Sequence, residues 1–415
     1  MPPFRRPAVS LFALIATSLV AAPLHAQSAS PAATGGQPTQ PAAAPAAQAP
    51  APTLNFSGLI FGSYNYQLPT SPSQLRNQTN NSFIIDRAYL NFRMAAGDRM
   101  SIRITTDVYQ TSDSATNAYT LRAKYAYLQY DVPKATNGLA VSARLGILQN
   151  VIIDQVEAFW PRYLSQAPVE RAGYFSSADV GIAGLVTLPS KMGEVYATIV
   201  NGPGYTSRER DRFKDFGARL TLTPLANRPT PSLLQTLTIS AWGYKGATAS
   251  GFVNGGTGQI GAVGEALDRS RAGVLVGIRD PRLLLAGELA QRHEGGELGL
   301  NTSASPRGTT ETTGRLLSGY TVVRPLAFAN ATGKSPFGVV ARYDHVTPST
   351  STTGFVTPPS TSNSYHTVIG GVFWDLNQKA QLALDYQESL ASDNGTSNSP
   401  PSPSKGYYLH FLVNF

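Results

Sequence analysis

The sequence predicts an all-β chain, a 16-stranded antiparallel transmembrane β-barrel, and three observations point to it. From Leu54 onward, segments of about ten residues alternate apolar and polar positions with a period of two. The breaks between them are long and short in turn, a pattern of membrane barrels that a soluble sandwich has no reason to keep. The last segment sets Tyr407, Leu409, Phe411, Val413 and Phe415 on one face, so the sequence stops on an aromatic ring.

Composition fits this class and excludes others. Charged residues make up only 14% of the 415 positions, against about 25% in an average soluble domain. Hydrophobic residues stand at 42%, so Ser, Thr, Asn, Gln, Gly and Pro replace the missing charge. Past Phe12–Ala22 no apolar run approaches the roughly 18 residues of a membrane helix. With no cysteine, disulfide scaffolds, thiolate metal sites and cysteine nucleophiles are excluded. The 17 Phe and 19 Tyr suit interfacial aromatic girdles.

Residues 1–26 read as a secretory signal: Arg5 and Arg6, the apolar Val9–Ala22, then Pro23–Ala26 with cleavage after Ala26. A buried N-terminal helix is the alternative. Removing Arg5 and Arg6 takes the formal charge from +8 to +6, too small a surplus over this length to suggest nucleic acid. Residues 27–52 are almost entirely Ala, Pro, Gln, Ser, Thr and Gly. Lacking large apolar groups, they are expected to form an unfolded periplasmic leader. The barrel is assigned to residues 53–415.

Its sixteen expected strands are Leu54–Gln67, Ser82–Met94, Arg99–Gln110, Tyr119–Asp131, Gly138–Gln149, Ser177–Leu188, Glu194–Asn201 and Phe213–Thr223, followed by Leu233–Lys245, Arg271–Ile278, Arg282–Arg292, Thr313–Arg324, Phe337–Val346, Ser364–Leu376, Gln381–Gln387 and Gly406–Phe415. Ala95–Asp98, Pro189–Lys191, Asp280–Pro281 and Asn377–Lys379 are the short breaks. Gly246–Asp268, His293–Thr312, Thr347–Asn363 and Leu390–Lys405 are long and rich in Gly, Ser, Thr and Asn.

Hydrocarbon offers backbone groups no partners, so a sheet spans it only when closed. The more apolar parity of each strand then faces lipid, where an arginine at mid-depth costs about 2–4 kcal/mol. In the second strand Ile84, Ala88, Leu90, Phe92 and Met94 are expected outside, with Phe83, Arg87, Tyr89, Asn91 and Arg93 inside. The third places Arg103, Thr105, Asp107 and Tyr109 inside, and the fifth Ser142 and Arg144. Arg219, Arg271 and Arg342 join this inner set. The fourth strand is ambiguous. Outward Ala126, Leu128 and Tyr130 would expose Arg122 and Lys124, unless these sit above the membrane or a bulge changes register.

Inward acids are Asp107, Asp179, Glu194, Asp215, Glu288, Asp344 and Asp385. Arg87, Arg103, Arg144 and Arg342 fall nearer mid-strand, so the waist is expected to be more positive than the outer rim. The alternative role for these arginines is bracing through carboxylate pairs.

The third long break, Asn150–Ser176, is unlike the others, with Phe159, Trp160, Tyr163, Tyr174 and Phe175. Such aromatic content seeks burial, and the available cavity is the lumen. The loop is expected to fold inward as a constriction carrying Asp154, Glu157, Arg162, Glu170 and Arg171, its acids facing Arg87, Arg103 and Arg144. Packing between subunits is the alternative.

Together these features resemble bacterial outer-membrane porins. DRAYLNFR (Asp86–Arg93), LRAKYAYLQYD (Leu121–Asp131) and SARLGILQN (Ser142–Asn150) are similar to the phosphate-selective porin O and P family. The resemblance implies a trimeric, anion-preferring diffusion channel in the outer membrane of a Gram-negative bacterium. It further implies that the terminal strand ending at Phe415 is read by the barrel-assembly machinery. This sequence departs from the family in lacking a dense Lys/Arg ladder, and lumen acids interrupt its basic track. The expected partners are membrane lipid and small hydrophilic solutes and ions; no catalytic residue, cofactor or metal site is expected. Two alternatives remain: an outer-membrane hydrolase using His293 beside Glu294 or His345 beside Asp344, and a barrel plugged by its loops.

Overall fold

The computed structural model describes residues 53–70, 81–110, 118–133, 138–209, 211–229, 232–249, 266–297, 309–353, 364–392 and 403–415. The expected signal segment and leader lie outside the described residues, as does much of the four Gly/Ser/Thr-rich breaks.

Sixteen strands form in the expected order: β1 (Leu54–Gln67), β2 (Asn81–Ala95), β3 (Met100–Gln110), β4 (Tyr119–Asp131), β5 (Ala140–Gln149), β6 (Ala178–Thr187), β7 (Gly193–Val200) and β8 (Asp215–Leu222) come first. β9 (Leu237–Ala249), β10 (Ala266–Asp280), β11 (Leu283–Glu297), β12 (Thr309–Val323), β13 (Phe337–Thr353), β14 (Tyr365–Asp375), β15 (Ala380–Ala391) and β16 (Ser404–Asn414) follow. Each pairs antiparallel with its neighbours in sequence, and β1 closes on β16. Phe415 completes the seam: its amide and carbonyl exchange hydrogen bonds with Gly58, and its ring lies where a Cβ on Gly58 would be.

At the long-loop end β9 to β13 run further than the alternation predicted, β13 by seven residues. The tips of β12 and β13 are Thr- and Ser-rich, and β-branched side chains extend a hairpin without needing an apolar face.

Away from the register shifts the two-residue period holds: Leu145, Ile182, Val195, Leu220, Leu285, Leu317, Val372 and Leu409 are exposed on the outside. Ser142, Thr198, Arg219, Ser240, Ser318 and Asp385 are buried on the inside. Leu145→Arg, at 60% exposure in mid-strand, should destabilise the inserted barrel by about 2–4 kcal/mol in lipid vesicles. Wild-type resistance to urea in this variant would mean that β5 is read in the wrong parity.

Two bulges alter the expected faces. In β2 the register with β1 slips beside Asp86, so that Ser63 pairs with Ile84 and Tyr64 with Phe83. Phe83 therefore points outward, 85% exposed and 4.7 Å from the Tyr64 ring, and Ile84 turns inward, the reverse of the alternation reading. The extra residue lets Asp86, bonded to Ser63, and Arg87 share the inner side. In β4 the register slips at Lys124, opposite Thr105 and Thr106. Lys124 and Tyr125 are consequently both buried inside, while Leu121 and Leu128 stay outside. The bulge, not a position above the membrane, resolves the fourth strand.

Candidate functional site: the inner loop and the cationic wall

The segment Asn150–Ser176 folds into the barrel. Its neck is closed by Asn150, whose Nδ2 donates to the Ser176 carbonyl at 2.9 Å. Two short helices follow, α1 (Ile153–Glu157) and α2 (Pro168–Arg171), the latter begun by a proline whose missing N–H is not needed at a helix start. Its aromatic side chains dock on the inner faces of the later strands. Trp160 meets the Tyr320 ring edge-on at 5.9 Å, and Phe175 lies 5.2 Å from Trp242 and 5.1 Å from Tyr244. Phe159 occupies the space over Gly277, where a Cβ would stand 2.6 Å from its ring.

Wall side chains fasten the loop backbone. Arg219 donates to the Val151 carbonyl at 2.6 Å, Gln387 to Leu164 at 2.9 Å and Arg342 to Gln166 at 2.6 Å. A loop held this way from β8, β13 and β15 belongs to the lumen rather than to a subunit contact.

The expected facing of loop acids and wall arginines is not what forms. Asp154 pairs with Arg219, which also takes Glu194. Glu157 and Glu170 both pair with Arg162 of the loop itself. Arg171 donates to Ser165 within the loop. Loop and wall meet instead at Tyr89, whose hydroxyl accepts from Lys124 of β4 and Arg162 of the loop, both at 3.2 Å.

The wall arginines divide into two kinds. On the later strands they are braces: Arg271 pairs with Glu294 at 2.6 Å, Arg269 with Asp215 at 3.0 Å and Arg342 with Asp344 at 2.6 Å. Arg87 also has an acid, sharing Asp107 with Arg122. Arg93, Arg103, Lys124 and Arg144 differ. Among the described residues no carboxylate lies within 4 Å of any of them.

Neutral groups hold three of them in place. Arg103 donates to Thr105 and Asn91 and lies 4.7 Å from the Tyr125 ring centre. Arg144 donates to Gln129 and lies 5.1 Å from Tyr127. Lys124 lies 4.3 Å above Tyr89. Aromatic faces orient a cation without cancelling its charge. Register places Arg93 directly opposite Arg103. Read along the strands, Lys124 stands nearest the long-loop end, then Arg103 with Arg93, then Arg144 near the short-turn end.

The remaining inward acids organise structure. Asp179 accepts from the amides of Gly202 and Gly204, shaping the loop after β7. Asp215 accepts from Tyr244, and Asp385 lies 3.0 Å from His410. Glu288 is fully buried behind the loop. The neighbour pairs Glu294–His293 and Asp344–His345 are split by the pleat. Each acid is inside with an arginine, while His293 bonds to Thr313 and His345 faces outward.

Alternation found the inner arginines but missed the tyrosines that carry them. Lys124 and Tyr125 sit on opposite parities of an unbulged β4, so only the bulge puts both inside.

No family model matches the sequence, and no curated protein matches it by sequence. Solved structures do match in fold. The trimer form of OmpT, an outer membrane protein of Vibrio cholerae, gives a TM-score of 0.53 at 11% identity, covering 88% of this chain and 100% of that one. An anion-selective porin from Comamonas acidovorans gives 0.54 at 10%, covering 88% and 100%. The outer membrane channel DcaP of Acinetobacter baumannii gives 0.52 at 14%, covering 88% and 97%. The chain therefore has the fold of the 16-stranded outer-membrane porins.

Proposed function

We propose that the chain is an outer-membrane porin for passive diffusion of small hydrophilic solutes, with a moderate preference for anions. One observation carries the reading: on the β2–β5 wall Arg93, Arg103, Lys124 and Arg144 have no carboxylate within 4 Å among the described residues, while the loop acids are paired with Arg162 and Arg219 and the later arginines with wall acids. In a narrow, low-dielectric passage such a one-sided set of uncompensated charges attracts anions and repels cations. Arg93, Arg103 and Arg144 are not buried, so an anion passes along this wall from one guanidinium to the next, while Lys124 adds its charge from behind Tyr89. No covalent step, cofactor or metal enters this mechanism.

The short-turn end faces the periplasm and the long-loop end the exterior, after export of the chain through the periplasm. Three copies assemble, as in the trimer form of the Vibrio protein, and β16 with Phe415 is the strand presented to the assembly machinery. The resemblance to phosphate-selective porins lies in the segments that build this same wall. Arg93 opposite Arg103 is where two cations reach one oxyanion, the double contact that a phosphate needs.

Single-channel recording in planar bilayers tests the reading. Stepwise conductance is expected, with a reversal potential under a potassium chloride gradient that favours chloride. Phosphate should reduce the chloride current, and Arg93→Gln should abolish that reduction. A correctly inserted barrel without conductance would make this a plugged or binding barrel, and a cation-favouring reversal potential would reject the wall as the selectivity element.

A further inference from the structure

A second feature lies outside the lumen. Between β9 and β13 the outer surface holds a groove of about 680 Å³, lined by Val274, Leu289 and Leu317 and rimmed by Gln291, Arg315 and His345. That volume is in the range of ligand pockets, about 300–1,000 Å³.

Arg315 is outward because the register sets it opposite Gln291 and Thr347, one residue from buried Leu316. It is eight residues from the short-turn end of β12 at Val323. That is about 27 Å along the strand, or about 21 Å of depth at a tilt of about 40°. An apolar belt is about 25 Å tall, so Arg315 stands about 4 Å inside its outer edge, from where the long side chain carries the guanidinium to headgroup level. Other outward charges at this level are matched: Lys245 with Asp268, His366 with Glu388, and His293 lies 3.9 Å from Glu311. Arg315 is exposed and has no carboxylate within 4 Å among the described residues.

We propose that this groove is a site for one phosphorylated, anionic lipid of the outer leaflet, its phosphate on Arg315 and its acyl chains against Val274, Leu289 and Leu317. An uncharged lipid leaves the guanidinium unmatched, and a free anion leaves the apolar lining empty; an anionic lipid satisfies both. His345 beside the rim adds a ring nitrogen to the phosphate contact. The proposal rests on the porin reading only for which end faces outward, since neither residue group touches the lumen.

Native mass spectrometry of the delipidated full chain in detergent tests it, with four probes: bisphosphorylated lipid A, the same lipid dephosphorylated, phosphatidylethanolamine and inorganic phosphate. Lipid A should be retained at least about tenfold better than the two lipids lacking net negative charge, the scale of a lost charge-assisted contact. Arg315→Gln should remove that preference, and Arg315→Lys should restore part of it. Val274→Trp, which fills the groove and leaves Arg315 intact, should reduce retention of every lipid. Equal retention of phosphorylated and dephosphorylated lipid, displacement by inorganic phosphate, or wild-type behaviour in both Arg315→Gln and Val274→Trp would overturn the site. Because these side chains face away from the pore, both variants should keep the wild-type reversal potential, so a failed lipid site and a failed channel are told apart.

Discussion

Replacing Arg103 and Arg144 together by alanine is expected to lower the chloride-to-potassium permeability ratio by about 25-fold. At about 5 Å in a wet pore a unit charge changes an ion's energy by about 0.8 kcal/mol, which screening in about 0.1 M salt reduces to about 0.5 kcal/mol. An anion gains what a cation loses, so each arginine is worth about fivefold in the ratio. The effect falls on these two residues because their partners, Gln129, Asn91 and Thr105, are neutral. Removing Arg271 instead would leave Glu294 only Arg292, 3.8 Å away, and change two charges' surroundings at once. Reversal potentials across a salt gradient measure the ratio directly. Arg103→Lys with Arg144→Lys should retain the preference, which separates charge from shape, and the alanine effect should shrink at 1 M salt, where the screening length is about 3 Å. An unchanged ratio in the double alanine variant would exclude the β2–β5 wall as the source of selectivity.

The lipid-facing set of β5 was legible because alternation there is unbroken, and Leu145 and Arg144 sit on the expected sides. In β4 the period itself records the interruption: Leu121 and Ala123 are apolar on odd positions, then Ala126 and Leu128 on even ones. One residue has been inserted between them, which is the bulge at Lys124. β2 was misread for a subtler reason. Phe83, Ile84 and Ile85 are all apolar, so no parity change is visible there, and the neighbouring Tyr64 on β1 decides which of them faces out. The inner loop was legible through its aromatics, which have nowhere to be buried but the lumen. What its charges do was not. Asp154 finds Arg219 across 65 positions of sequence and Gln166 finds Arg342 across 176, distances over which local pattern carries no information. The division of the arginines into braces and uncompensated charges therefore appears only once the barrel is closed and the loop is seated.

The brace at Arg342 sets up the second large effect. Arg342 and Asp344 are each 2% exposed, and the guanidinium also holds the Gln166 carbonyl and lies 5.1 Å from the Trp160 ring. In Arg342→Leu, Asp344 is left buried without its cation, in the same cross-strand row as Glu288. Breaking a buried pair from one side costs about 3–5 kcal/mol, whereas replacing both partners by apolar residues is often neutral. The cost falls on loop docking rather than on the sixteen-strand ladder, whose backbone hydrogen bonds do not involve these side chains. A shift of about 3 kcal/mol changes the docked-to-undocked ratio by a factor of more than about 100. Arg342→Leu should therefore show a larger, noisier single-channel conductance while its folded-barrel mobility on cold electrophoresis stays that of wild type. Arg342→Leu with Asp344→Leu should return toward the quiet wild-type level, since no stranded acid remains and Phe159, Trp160 and Phe175 still dock. A wild-type conductance in the single variant would show that those aromatic contacts alone seat the loop, and equal noise in single and double variants would show that the Gln166 bond, not the buried acid, governs it.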